Sequence, residues 1–197
     1  MISFLYRIGC YLALSCGLYY LWSRAYRWIW ERRIKGEVEV APTLGRLLTR
    51  MSEFYWTPDG PQQLWDAIGY PRSLETGGDC DEFAAWCCSA GRDGVIDTGG
   101  VRWVPVGILS VPWRGGGHNV ALFVEEWLAG HVRAGIRGSG LPALAHVSNT
   151  GWHPGFNNIR DVAFDVARRA GEVPMAFSLV SPDLKTRISY QWIGGEG

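Results

Sequence analysis

The sequence predicts an α+β domain in which a helix bearing Cys80 packs on an antiparallel sheet, preceded by an N-terminal transmembrane helix. Three observations lead there. Apolar residues recur at helical spacing up to about residue 90, strand-like runs come after it, and no internal repeat is present. Glu37 to Pro42 is a short connector. Leu44, Leu47, Leu48, Met51 and Phe54 mark an amphipathic helix. Thr57-Pro58-Asp59-Gly60-Pro61 is a turn, Gln62 to Ile68 adds a short helical piece, and Tyr70 to Gly78 is a loop delivering Cys80. From Cys80 the stripe Phe83, Ala84, Cys87 and Cys88 runs at helical spacing and ends near Ala90-Gly91, before an Asp93-Gly94 turn. Strands are predicted at Val101 to Ser110, His118 to Glu125 and Leu144 to Ser148. Asn157 to Ala170 reads as a helix with Ile159, Val162, Ala163 and Val166 inward and Gly171 as its C-cap. A last strand is predicted at Arg187 to Ile193.

The chain of 197 residues suits one domain plus an appendage: residues 1–35 as a membrane anchor with its basic flank, and 36–197 as the folded domain. Residues 2–22 are apolar apart from Arg7, and a helix of that length spans about 30 Å, the core of a bilayer. Tyr19, Tyr20, Trp22, Tyr26, Trp28 and Trp30 crowd its far end, followed by Arg24, Arg27, Arg32, Arg33 and Lys35. Aromatic and basic residues at such a boundary read as an interfacial anchor, and the positive-inside tendency puts the domain on the cytoplasmic side of a single-pass protein. No small-residue cleavage site follows, which speaks against a cleaved signal peptide. Formal net charge is zero, which removes the electrostatic reason to bind nucleic acid. The cysteine count is odd, at five: Cys10 and Cys16 lie in the apolar segment, and Cys80, Cys87 and Cys88 on one helix. Neighbours on one helix are badly placed to bridge, so a disulfide framework is not expected. The spacing of a structural zinc site is also missing.

Chemistry concentrates at Cys80. A thiol on the first turn of a helix feels the positive end of the helix dipole and loses its proton more readily. Gly115-Gly116-Gly117-His118 opens an apolar strand and supplies a base. A thiol hydrolase needs a thiolate, an imidazole that activates it and later protonates the leaving group, and a polar group that orients the ring. Cys80 and His118 are the first two. Val147-Ser148-Asn149 on the following strand offers the third, as Asn149 through its carbonyl or Ser148 through its hydroxyl; on a regular strand the two point to opposite faces, so one of them reaches His118. Asp79, Asp81 and Glu82 work against this, because negative charge beside a thiol raises its pKa. Cys87 and Cys88 read as small core hydrophobes. His131, His146 and His153 read as surface or edge residues, His146 with the reservation that it shares a strand face with Ser148.

These residues resemble the transglutaminase-like superfamily, most closely its bacterial transglutaminase-like cysteine proteinase branch. That branch carries W-x-T-P, then G-G-D-C-E-D-[FY], H-x-V-L and L-D-N. Here Trp56-Thr57-Pro58, Gly77-Gly78-Asp79-Cys80-Asp81-Glu82-Phe83, His118-Asn119-Val120-Ala121-Leu122 and Val147-Ser148-Asn149 stand in the same order, over about residues 50 to 150. The cysteine box is the specific one; the others gain from their order. The resemblance implies a papain-like fold, a Cys-His-Asp triad, and hydrolysis of a peptide or amide bond in a protein or peptide substrate through an acyl-thioester. Some members bind calcium near the cysteine box, which here would involve Asp79 and Asp81; no other cofactor is implied. The sequence departs from the pattern where the acidic third residue aligns with Ser148, and in the long connection from Glu126 to Ala143. Three further readings stand beside the hydrolase: a transamidase on the same intermediate, a cell-wall cysteine endopeptidase of the D-C-S-G-F type, and a catalytically inactive membrane-tethered binding module.

Overall fold

The computed structural model describes residues 43–54, 56, 79–90, 96–129, 143–181 and 187–193. The predicted anchor, the connector, the 57–61 turn, the loop to Gly78 and His131 lie outside these residues. Among the described residues no helix is long and apolar enough to cross a membrane. The fold is α+β. Among the described residues its helices are α1 (Leu44–Ser52), α2 (Cys80–Ala90) and α3 (Ile159–Arg169), with a 3₁₀ turn at Glu126–Leu128. Its strands are β1 (Ile96–Asp97), β2 (Arg102–Trp113), β3 (Gly116–Glu125), β4 (Leu144–Ser148), β5 (Gly151–Phe156), β6 (Ala176–Val180) and β7 (Arg187–Trp192). They form one antiparallel sheet in the order β5-β4-β3-β2-β6-β7, with β1 on β2.

Local chemistry sets the turns. β2 and β3 run further than predicted and meet at Trp113↔Gly116, so Arg114-Gly115 is a two-residue turn and Gly115 takes a positive φ of 90° there. Gly116 and Gly117 belong to the ladder, opposite Trp113 and Pro112. β4 and β5 meet at Ser148↔Gly151 around Asn149-Thr150. β5, with Pro154 inside it, was not foreseen; it is the sheet's outer strand, where a missing N–H is tolerated. The β2–β3 register shifts between Pro105 and Gly107, and β6 joins β2 immediately after, at Ile108↔Val180. A Cβ on Gly107 would run into the carbonyl oxygen of Val180, so the close approach of β6 requires glycine there. Asn158 caps α3 by accepting from the Asp161 N–H at 2.9 Å. The other end closes with Glu172 N–H on the Ala167 carbonyl and Gly171 N–H on that of Arg168, with Gly171 at φ 76°.

β3 is buried on both faces, so its alternation decides where everything else sits. Ala121 and Phe123, with Ala145 and Val147 of β4, face α2 and pack with Phe83, Ala84, Cys87 and Cys88. Leu47 and Phe54 join that layer, Phe54 stacking edge-on to Phe83 at 5.1 Å. Trp152 packs against the same layer, 5.4 Å from the Phe123 ring. Val120, Leu122 and Val124 face the other way and pack with Ile159, Val162, Ala163 and Val166 of α3.

Candidate active site

α2 begins with a reciprocal cap. The Asp79 carboxylate accepts from the Asp81 N–H at 2.8 Å, and the Glu82 carboxylate reaches back to the Asp79 N–H at 3.0 Å. Phe83 N–H closes the first helical bond on the Asp79 carbonyl at 3.2 Å. Asp79-Cys80-Asp81-Glu82 is therefore a capping box, which explains why acids surround the cysteine: two of the three hold the helix start. Cys80 is the first helical residue, partly buried at the junction of α2 with β3.

Its polar neighbours come from Asn119 and Asp81. The Asn119 backbone N–H donates to the thiol, and its side-chain nitrogen lies 4.0 Å from Sγ. The thiol itself points at Asp81 Oδ1, 3.6 Å away, and that same oxygen accepts from the Asn119 amide. Burial pushes the Cys80 thiol up to about 12, with the Asp81 and Asp79 charges adding to it and the Asn119 N–H opposing. At neutral pH the thiol is protonated and donates to Asp81.

His118 stands on the other side of the strand. It pairs with Val111 across the ladder and shares the face of Val120 and Leu122, while Asn119 shares the face of Ala121 and meets Cys80. The structure thus brings Cys80 to Asn119 and sets His118 beside α3. Asn149, whose place in the β4–β5 turn frees it from strand alternation, lies beside the His118 ring. Burial holds the ring's pKa below the usual histidine value; Asn149 and the nearby Asp79 charge pull it up. Among the described residues His118 Nε2 is buried with no hydrogen-bond partner. Ser148 is engaged elsewhere, its hydroxyl 2.7 Å from that of Thr150.

Cys87 and Cys88 lie in the core, their thiols pushed up by burial, Cys88 to about 12 with its sulfur on the Gly107 carbonyl at 3.3 Å. The sequence reading of His146 needs correction. It is fully buried under α3, with Nε2 3.0 Å from Asp165, because its strand face is the one α3 covers. His153 does lie on the outer strand, 2.8 Å from the Thr150 hydroxyl. Asp79, Cys80 and Asp81 present ligand atoms within 4.8 Å of one another. Calcium takes six to eight oxygens. Two carboxylates already engaged with the helix cap and Asn119, plus a protonated thiol, do not make that set.

Sequence reasoning missed Asn119 and Asp165. The signal for Asn119 was the period-2 pattern of β3, which places it opposite to His118. No family model, curated protein or solved structure matches the chain.

Proposed function

We propose that this chain is a membrane-anchored cysteine hydrolase of transglutaminase-like, papain-like core, cleaving a peptide or amide bond of a protein or peptide substrate. The observation that supports the reading is a thiol on the first turn of a helix, lying against Asn119, the residue next to His118 at one end of β3. Cys80 Sγ attacks the substrate carbonyl carbon as its proton passes to His118. The resulting oxyanion is met by the backbone N–H of Cys80, a helix-start donor with no intrahelical acceptor, and by the Asn119 amide. Collapse breaks the C–N bond, and the leaving amine takes the proton from His118. Water then cleaves the acyl-thioester and restores the thiol. Interception of the same intermediate by an amine gives the transamidase.

This chemistry requires the His118 ring on the α2 face. It also needs Asn119 to stay there, which a bulge between His118 and Asn119 would allow by turning both side chains to one side. A second reading, the inactive membrane-tethered binding module, is favoured by the thiol's position at about 12 and its hydrogen bond to Asp81. Iodoacetamide labelling of the intact protein between pH 6 and pH 9 separates the two, by mass spectrometry of the labelled peptides. The hydrolase expects Cys80 to react far faster than Cys87 and Cys88, with His118→Ala abolishing the preference. A Cys80 rate as slow as that of the two core thiols, unchanged by His118→Ala, overturns the hydrolase and leaves the binding module.

A further inference from the structure

The end of the sheet away from Cys80 carries an exposed apolar pair at the point where the chain enters the domain. Trp103 pairs with Glu125, and one step further the Arg102 guanidinium meets the Glu126 carboxylate at 3.1 Å, so Val101 and Trp127 come next along the same register. Trp127 is 59% exposed and Val101 40%. The Trp127 indole N–H is satisfied by the Glu125 carboxylate at 2.5 Å, so what the ring offers outward is apolar. Asp97, which pairs with Arg102, also bridges to Thr43, the residue through which the chain arrives from residues 1–42. Two elements put Cys80 at the opposite end. α1 leads from Thr43 to Phe54, whose ring lies 5.1 Å from that of Phe83, on the first turn of α2. Asn119, beside Cys80, stands near the start of β3, and Glu125 closes it.

Chain length decides which end meets a bilayer. The anchor's flank holds Trp28, Trp30, Arg32, Arg33 and Lys35, residue types that favour the lipid–water interface. Thr43 follows Lys35 by eight residues, at most about 29 Å of chain. β2 covers about 36 Å from Arg102 to Trp113. An inverted domain, with the Arg114-Gly115 turn on the bilayer and Thr43 uppermost, is therefore beyond the link's reach. Val173 and Met175 are exposed at that far end, with the Met175 N–H on the Pro112 carbonyl, so exposure alone does not choose between the ends; reach does. Charge agrees, since Asp97, Glu125 and Glu126 outnumber Arg102 at the Trp127 end and complement the basic flank. We infer that the Trp127 end of the sheet faces the bilayer, with Trp127 and Val101 in the lipid interface and the β2–β3 hairpin standing up from it. This orientation rests on the membrane-anchored reading above and deepens it. Asn119 lies about 20 Å along β3 from Glu125. The Cys80 thiol beside it then works on a polypeptide segment standing clear of the bilayer, not on one embedded in it.

The test places the intact protein in phosphatidylcholine nanodiscs, with a spin label on p-acetylphenylalanine introduced at Val101 in one sample and at Arg114 in another. Both positions are exposed, and thermal melting establishes that each labelled protein is folded. Power-saturation EPR compares collision with oxygen, which concentrates in lipid, against collision with a water-soluble nickel chelate. The label at 101 should favour oxygen and the label at 114 the chelate. Trp127→Ser should cut the oxygen preference at 101 by at least half, and Trp127→Phe should keep it. A label at 101 as open to the chelate as the one at 114 overturns the inference. So does a domain lying flat, with both labels favouring oxygen, or a preference at 101 that Trp127→Ser leaves unchanged. Flotation of the wild-type protein with phosphatidylcholine vesicles reads the anchor by itself. A chain that does not float sinks the anchor and the orientation together, whereas a floating chain with 101 in water sinks the orientation alone. Neither result touches the Cys80 chemistry, which the alkylation experiment reads separately.

Discussion

The two faces of the sheet solve different problems with residues drawn from the same strands. Among the described residues the interior beneath α2 is an apolar cluster, and polar atoms gather at its edge, where Asp79 and Glu82 cap the helix and Asp81 holds Asn119 and the thiol. Beneath α3 polar groups run inward: His146 is paired with Asp165, Asp165 with Arg168 and Arg169, and the Ser148, Thr150 and His153 side chains form a second chain beside them. β3 feeds one residue of interest to each side, Asn119 to the first and His118 to the second. Adjacency in sequence is therefore no guarantee of a shared compartment; in a doubly covered strand, parity decides.

The harshest way to break the contrast is Asp165→Ala. It leaves a buried imidazole and two guanidinium groups without their carboxylate, at a cost of about 3–5 kcal/mol in urea unfolding. A loss near 0.5 kcal/mol, typical of an exposed pair, would show that the α3 face is no more polar in energetic terms than a surface. Next comes acid. His146 is held at about 4 in the fold against an ordinary 6.5, so the unfolded chain binds the extra proton first. Stability should be full above about pH 6.5 and fall as the pH drops towards 4, by something of the order of 3 kcal/mol, and His146→Gln should flatten that slope. Asp165, held down to about 2, adds a further loss between its ordinary range and pH 2. An α2-face variant such as Asp81→Asn should leave the acid slope intact. The smallest effect sharpens the other face: Asp81→Asn removes a charge that disfavours the thiolate, so Cys80 alkylation at pH 8 should accelerate about tenfold for each unit its pKa falls. An unchanged rate would mean that burial alone keeps the thiol protonated.

Much of this architecture was legible in the residues. The inward stripe of α3 and its glycine stop, the span of β4 and the apolar run of β3 all carry periodicity that tertiary packing has no reason to override. β5 was hidden because Gly-Trp-His-Pro-Gly-Phe is loop chemistry, admissible only on an outer strand. The pairing of the site was harder. Both residue sets of β3 are apolar, so nothing in the strand itself says which set α2 covers, and the choice between His118 and Asn119 as the neighbour of Cys80 is made by the three-dimensional layering. The role of Asp79 and Glu82 was readable from D-x-x-E spacing, yet the same acids also read as an electrostatic obstacle to the thiol. Asp165 gave no sign, because an acid on an amphipathic helix is ordinarily solvated.

Gly107 has a reach beyond its size. The only room for the β6–β7 ribbon alongside β2 is the space that a hydrogen in place of a methyl leaves free, at the point where the β2 register slips. Even alanine there would act as a wedge, prising the C-terminal ribbon away and wetting Leu109 and Leu179, both now fully enclosed. The seam of this sheet runs through one missing carbon atom.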